Sequence, residues 1–431
     1  MKIVIIGCGA AGATAAQFAR KKNREAEIKI FEKGSYPEYS KCALPFVVSG
    51  ELSPDSIVEF SEEWFRNSDI ELRLNTPVSK IDFGNKVIET PEGTEEYDSL
   101  IIATGASPFS PVETAGRTYS LRNMHDAISI REESKNAERA IIIGAGLIGL
   151  ETAESLVKKG LEVTVMEFLP EILLTMVDED MAKIVRKEIE ERIKIMLGHR
   201  VKEIKEKDGV MEVISSDGSG KETALEGDFV IVATGNRANT KLADGLSVEK
   251  AIIVNEKCET SVKGVYAVGD CTQYVDIVGN AVPVGLGSVA VRQGMVAGTN
   301  AAGGNEIMPP LTNARTTKIF GVEIAAVGPL RRNIPFNPIT GKFRGKTLPE
   351  YMGDLGEEAY VKVYADSSGK IIGAQAVGRE AAQRINKFAL AAHYGLTLEQ
   401  LLKAETAYAP AVAPVFDLST LACEIAKRRL R

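Results

Sequence analysis

The groups in this 431-residue chain that could do chemistry are few and widely spaced. Five cysteines (Cys8, Cys42, Cys258, Cys271 and Cys423) form no CxxC pair, and three histidines (His125, His199 and His393) lie far apart. Neither set has the spacing of a metal site, so no metal is expected. An odd cysteine count also argues against a disulfide framework and points to a reducing, cytoplasmic compartment. What recurs instead is glycine. Gly7-Cys8-Gly9-Ala10-Ala11-Gly12 and Gly144-Ala145-Gly146-Leu147-Ile148-Gly149 share one spacing, and each is followed by an acid, Glu32 or Glu167. In such a turn the first glycine permits a tight bend and the second lets backbone approach a pyrophosphate. The third lets helix and strand pack closely. The acid accepts hydrogen bonds from ribose hydroxyls, and the helix N-terminus offers free N–H donors to phosphate.

The elements around the turns have the order this chemistry needs. Lys2–Ile6 reads as a strand, an Ala-rich helix runs to about Lys22, and Glu27–Phe31 is a second strand ending at Glu32. The plan repeats from Ala140 to Glu167. One glycine turn is weak evidence, but two in full strand–turn–helix–strand–acid context predict two dinucleotide sites. Companion strands end in Ala-Thr-Gly at Tyr97–Gly105 and Asp228–Gly235, and a third, Gly264–Asp270, closes in Gly-Asp. The uncharged stretch from Ile3 to Ala19 after Lys2 has the look of a signal peptide. Its glycine spacing, repeated near residue 144, favours the nucleotide reading. No other stretch reaches the roughly 18 apolar residues of a membrane span. A net charge of −7 gives no reason to expect nucleic acid as a partner.

In this order, GCGAAG…FE, ATG, GAGLIG…ME, ATG and VYAVGD, the chain resembles the pyridine nucleotide-disulfide oxidoreductase family along its whole length. The resemblance implies an α/β fold with two Rossmann-like dinucleotide-binding domains and an α+β C-terminal dimerisation domain. Residues 1–113 and 241–310 would form a discontinuous FAD domain, 114–240 an inserted NAD(P)H domain, and 311–431 the dimerisation domain of a homodimer. FAD would be held by Gly7, Gly9, Gly12, Glu32, Lys33, Gly105 and Asp270, with Asp270 on the ribityl chain. Gly144, Gly146, Gly149, Glu167 and Gly235 would hold the nicotinamide dinucleotide. Glu167 favours NADH over NADPH, since a carboxylate there repels a 2′-phosphate and the next Lys or Arg in sequence is Lys183. Arg331–Leu348, rich in Lys, Arg, Pro and Gly, is expected to be an exposed loop.

Many family members carry a CxxxxC redox pair, whereas this chain has one cysteine there, in Tyr39-Ser40-Lys41-Cys42-Ala43-Leu44-Pro45-Phe46. A single cysteine cycles through a sulfenic acid or a mixed disulfide with a small thiol. Placed at the start of a short helix, its thiol is expected to be shifted toward thiolate. Cys-Ala-Leu-Pro resembles the single-cysteine branch: coenzyme A-disulfide reductases, NADH-dependent persulfide or polysulfide reductases, and NADH oxidases and peroxidases. The oxidases and peroxidases have a histidine in the first glycine turn, and this chain reads Cys8-Gly9-Ala10-Ala11 instead. The resemblance thus implies reduction of a coenzyme A disulfide, persulfide or polysulfide. The alternatives are an NADH oxidase or peroxidase, and an electron-transfer reductase for a protein such as rubredoxin. It further implies that Tyr408, in Ala-Tyr-Ala-Pro, and Tyr351 reach the cysteine from the partner subunit as proton donors. The basic cluster Arg20, Lys21, Lys22 and Arg24 offers Arg20 and Lys22 as holders of the coenzyme A phosphates, or is simply a basic helix end.

Overall fold

The computed structural model describes residues 1–430. Its first sheet is five-stranded and parallel, in the order Val265–Ala267, Ser99–Ile102, Lys2–Ile6, Glu27–Phe31, Ile70–Arg73. Inner strands such as Ser99–Ile102 are buried throughout and read as unbroken apolar runs, as parallel sheets covered on both faces require. The helix Ala10–Lys22 covers one face. Against it lies the helix Gly287–Ala301, whose glycines permit near contact: an added Cβ would fall 2.4 Å from Ala11 O at Gly294 and 2.1 Å from Ala15 O at Gly298.

A second five-stranded parallel sheet has the same plan, in the order Thr118–Tyr119, Phe229–Val232, Arg139–Ile143, Glu162–Met166, Lys194–Met196. Each sheet is accompanied by a three-stranded antiparallel meander, inserted before its Ala-Thr-Gly strand: Lys80–Asp82, Val87–Thr90 and Gly93–Glu96 in the first, Arg200–Lys207, Val210–Ser216 and Glu222–Gly227 in the second. The strand Val265–Ala267 follows the whole second sheet in the chain yet joins the first sheet, so the backbone leaves that sheet and returns to it.

The C-terminal part is an antiparallel five-stranded sheet, in the order Arg315–Ile319, Val322–Val327, Ile371–Gly378, Glu358–Ala365, Ile339–Lys346. Val361, Val363 and Ala374 share a core with Phe388 of the helix Ala381–His393 and Ala422 of the helix Leu418–Lys427. Here one expectation fails. The segment expected to be an exposed loop contains the edge strand Ile339–Lys346. Gly341 within it serves close packing: a Cβ there would lie 1.9 Å from Ala422 O. Its basic residues are the charges of an edge strand, with Lys342 paired to Asp180 and Arg344 to Glu358. Among the described residues no helix is long and apolar enough to cross a membrane.

Candidate active site

The two glycine turns are built bond for bond alike. Gly7 (φ +105°) and Gly144 (φ +109°) hold the left-handed bend, where a Cβ would lie 2.3 Å from Ala103 O and 2.4 Å from Ala233 O respectively. A Cβ on Gly12 would lie 2.0 Å from Gly7 O, and one on Gly149 2.0 Å from Gly144 O. The middle glycines are the open ones: a Cβ on Gly9 would have Lys41 Nζ as its nearest neighbour at 3.8 Å, and one on Gly146 would meet nothing within 4 Å. Glu32 accepts from Cys8 N and Gly34 N, both at 2.7 Å. Glu167 accepts from Ala145 N at 2.7 Å and Leu169 N at 2.8 Å. Each acid is therefore clamped across the mouth of its own turn.

Cys42 lies in a single 3-10 turn, Lys41–Ala43, that runs into the six-residue helix Leu44–Ser49. It is exposed, whereas Cys8, Cys258, Cys271 and Cys423 are buried. Burial pushes the Cys258 and Cys423 thiols up to about 12, which leaves them inert as nucleophiles. The expected lowering of the Cys42 thiol is not what the protein alone provides. Enclosure by the surrounding walls raises it, the Glu151 and Asp270 carboxylates raise it further, and only Arg122 pulls it down. A six-residue helix offers too little to outweigh two carboxylates.

Those neighbours come from distant parts of the chain. Glu151 sits on the helix Leu147–Lys158, just inside the second turn, and accepts from Thr317 Oγ1 at 2.5 Å. Desolvation raises its carboxyl above the ordinary range, and Glu154 adds to that. Ser155 on the same helix donates to Pro45 O at 2.8 Å, tying the second dinucleotide helix to the helix behind Cys42. Asp270, in the turn Gly269–Cys271, accepts from Arg122 Nη2 at 2.7 Å, while Arg122 Nε donates to Ala106 O at 3.0 Å. Glu38, 4% exposed, has an Oε2 with no partner among the described residues. Desolvation and Glu59 push its carboxyl up to about 7, against the pull of Lys41. Desolvation, with help from Arg122, holds the Lys41 ammonium below its ordinary value.

A single cleft of about 3030 Å³ connects these features. Its lining includes Gly7, Gly9, Glu32, Lys33, Gly105 and Asp270 from the first unit, Gly144, Gly146, Glu167 and Gly235 from the second, and Cys42 between them. Gly12 and Gly149 stand behind the turns rather than in the lining, as residues that hold helix to strand. Arg20 departs from expectation as an anion holder. Its donors go to Ser68 O at 3.1 Å, Arg24 O at 2.6 Å and Asp69 O at 2.5 Å, so it secures the end of a neighbouring helix. Lys22 is exposed and, like Arg20, outside the cleft lining. Lys21, not singled out from the sequence, lies 4.4 Å over the ring of Phe18, which does line the cleft. Tyr351 and Tyr408 lie 3.1 Å apart through their hydroxyls. They are 70% and 49% exposed and away from Cys42 of their own chain. Sequence reasoning missed Arg122, Glu38 and Glu151; only Glu151 carried a local signal, its place two residues past Gly149 on the same helix.

Two family models cover this architecture: pyridine nucleotide-disulphide oxidoreductase over residues 1–294, and the dimerisation domain of that family over residues 314–419. The chain belongs to the pyridine nucleotide-disulphide oxidoreductase family. It is an oxidoreductase with a dimerisation domain. Over 451 residues it is 37% identical to a protein named NADH oxidase from Methanocaldococcus jannaschii, covering 100% of this chain and 99% of that one. Over 433 residues it is 32% identical to a CoA-dependent NAD(P)H sulfur oxidoreductase from Pyrococcus abyssi, covering 96% of each. Among solved structures it matches an NAD-dependent persulfide reductase from A. fulgidus with a TM-score of 0.93 and 31% identity, over 100% of this chain and 83% of that one.

Proposed function

We propose that this chain is an FAD-dependent NAD(P)H oxidoreductase that reduces coenzyme A disulfide, coenzyme A persulfide or polysulfide through Cys42, as a homodimer in a reducing, cytoplasmic compartment. The observation that carries the reading is the single cleft lined by both glycine turns and by the one exposed cysteine. The residues present fit two dinucleotides, because the space over Gly9 and Gly146 is open and a β-carbon on either would enter it. Gly7, Gly9, Gly12, Glu32, Lys33, Gly105 and Asp270 would hold FAD; Gly144, Gly146, Gly149, Glu167 and Gly235 would hold NADH. Bound FAD supplies the two-electron relay between the nicotinamide and sulfur.

Cys42 acts as thiolate. With a disulfide, its sulfur attacks one sulfur of the substrate, that S–S bond breaks as the Cys42–S bond forms, and the first thiol leaves with a proton. Two electrons then cleave the mixed disulfide, returning the Cys42 thiolate and a second thiolate that takes up a proton. With a persulfide or polysulfide the terminal sulfur is transferred to Cys42 and leaves as hydrogen sulfide by the same count. The raised Cys42 thiol gives Arg122 a role: its guanidinium, paired with Asp270, is the one neighbouring group that pulls the thiol toward thiolate, against burial and Glu151. The exposure of the paired Tyr351 and Tyr408 supports a role at the other subunit's cysteine, where a phenol donates a proton without placing a charge in the cleft. With Arg20 engaged, Lys21, Lys22 and Arg24 are the cations of that cluster left for the coenzyme A phosphates.

The relative named NADH oxidase favours a second reading, in which oxygen or peroxide is the oxidant and Cys42 cycles through sulfenate. One experiment separates the two: NADH turnover measured side by side with coenzyme A disulfide, polysulfide, peroxide and oxygen. The proposal expects the sulfur substrates to exceed oxygen in kcat/KM by at least about tenfold. Faster turnover with oxygen or peroxide would give the second reading precedence.

A further inference from the structure

The internal duplication allows the two turns to be overlaid on their backbone bonds alone, and what fails to match is informative. In the first unit Glu32 N donates to Arg73 O at 2.8 Å and Thr76 N donates to Glu32 O at 2.9 Å. In the second, Glu167 N donates to Met196 O at 2.8 Å and His199 N donates to Glu167 O at 2.9 Å. The overlay sets His199 on Thr76 and Arg200 on Pro77, and sets Phe168 on Lys33. The place directly after the acid thus holds a cation in the first unit, Lys33, just past the strand Glu27–Phe31. In the second unit that place holds an aromatic ring, and the cation comes from the first residue of the meander strand Arg200–Lys207.

Arg200 is placed to act on a ligand. Its guanidinium carbon lies 4.6 Å from the centre of the Phe168 ring, and Phe168 is 55% exposed. Phe168, Arg200, Glu167 and Gly146 all line the cleft. Among the described residues no carboxylate pairs with Arg200 and its side chain donates no hydrogen bond, in a chain where most arginines are so engaged. The Phe168 face holds the planar fork in position, leaving its N–H edge free for an anion. The Glu167 carboxylate marks where a dinucleotide's adenosine ribose binds, so the anion within reach of Arg200 is a phosphate on that ribose.

We propose that Arg200, positioned by Phe168, is a specificity-determining residue that offsets the repulsion of Glu167 and allows the second turn to take NADPH as well as NADH. This rests on the reading that the second turn holds the nicotinamide dinucleotide. It goes beyond the expectation of an NADH preference, which counted only cations near Glu167 in sequence.

The test is calorimetric titration of the FAD-loaded protein with adenosine 2′,5′-bisphosphate and with adenosine 5′-monophosphate, which differ by the one phosphate in question, each repeated with NADH present as competitor. The wild type is expected to bind the bisphosphate at least as tightly as the monophosphate. In Arg200→Ala the ratio of the two dissociation constants should move against the bisphosphate by roughly tenfold or more, the size of a charge-assisted pair. Arg200→Lys, which keeps the charge and loses the fork, should fall between. The kcat/KM ratio for NADPH over NADH should follow the same order. An unchanged ratio in Arg200→Ala, or a wild type that rejects the bisphosphate by more than about a hundredfold, would overturn the assignment. If NADH displaces neither nucleotide, the reading of the second turn itself falls, and the proposal with it.

Discussion

The two glycine turns share their bends, their clasps and their sheet order, yet what covers their helices differs. The first helix, Ala10–Lys22, is closed over by Gly287–Ala301 through two glycines that leave no room for a side chain. The second, Leu147–Lys158, lies instead against the C-terminal sheet through polar contacts. Glu151 accepts from Thr317 Oγ1 at 2.5 Å and Glu154 from Phe320 N at 2.8 Å, and Ser155 holds the segment behind Cys42. The same local motif thus builds a sealed cradle in one place and, in the other, a wall of the cleft beside Cys42. Function separates two copies of one motif through their tertiary partners.

Spoiling one turn at a time separates the two copies. Gly149→Ala forces a Cβ to within 2.0 Å of Gly144 O, and Gly12→Ala does the same at Gly7 O. Gly149→Ala is expected to keep its FAD but to slow flavin reduction by NADH roughly a hundredfold, the equivalent of about 3 kcal/mol of overpacking. Gly12→Ala should lose FAD instead. Flavin absorbance per protein and stopped-flow reduction read both, and loss of FAD from both variants would mean that the turns are not independent.

A smaller effect concerns Glu38, the carboxyl buried beside the first turn. Folding raises its titration from 4.5 in the ordinary case to about 7, so the folded state keeps a proton that the unfolded chain has lost. Its contribution to stability therefore falls as pH rises through that window, and the cost is complete above about 7. Glu38→Gln removes the cost, so stability should rise at pH 8.5 by on the order of 3 kcal/mol and be nearly unchanged at pH 4. Denaturant midpoints at the two pH values check this. An equal gain at both would show that ionisation of Glu38 is not the cause.

Most of the architecture was legible because its signals are local. A strand, three glycines, a helix and an acid occupy some thirty residues, and each glycine has a steric reason that the structure displays. Ile339–Lys346 was misread because glycine and basic residues serve equally in loops and in edge strands packed on a helix. The electrostatics of Cys42 were misjudged for a related reason. The helix start is visible in Cys-Ala-Leu-Pro, but Glu151, Asp270 and Arg122 reach the sulfur only through the fold. Arg20 spends its donors on the end of a neighbouring helix, and Arg200 reaches the cleft from a strand that spacing along the chain does not register.

If electrons leave the cleft through the sulfur of Cys42, Cys42→Ser closes their exit. Serine nearly matches cysteine in shape, so fold and FAD content should survive, and stopped-flow mixing with NADH should still reduce the flavin in a single fast phase. Steady-state reduction of coenzyme A disulfide and polysulfide should collapse by at least about a hundredfold, since a hydroxyl is neither ionised at neutral pH nor able to form a mixed disulfide. The buried-cysteine variants Cys8→Ser, Cys258→Ser, Cys271→Ser and Cys423→Ser should retain that turnover. If Cys42→Ser keeps more than roughly a tenth of wild-type sulfur turnover, the thiolate route is contradicted and a cysteine-independent electron transfer takes its place.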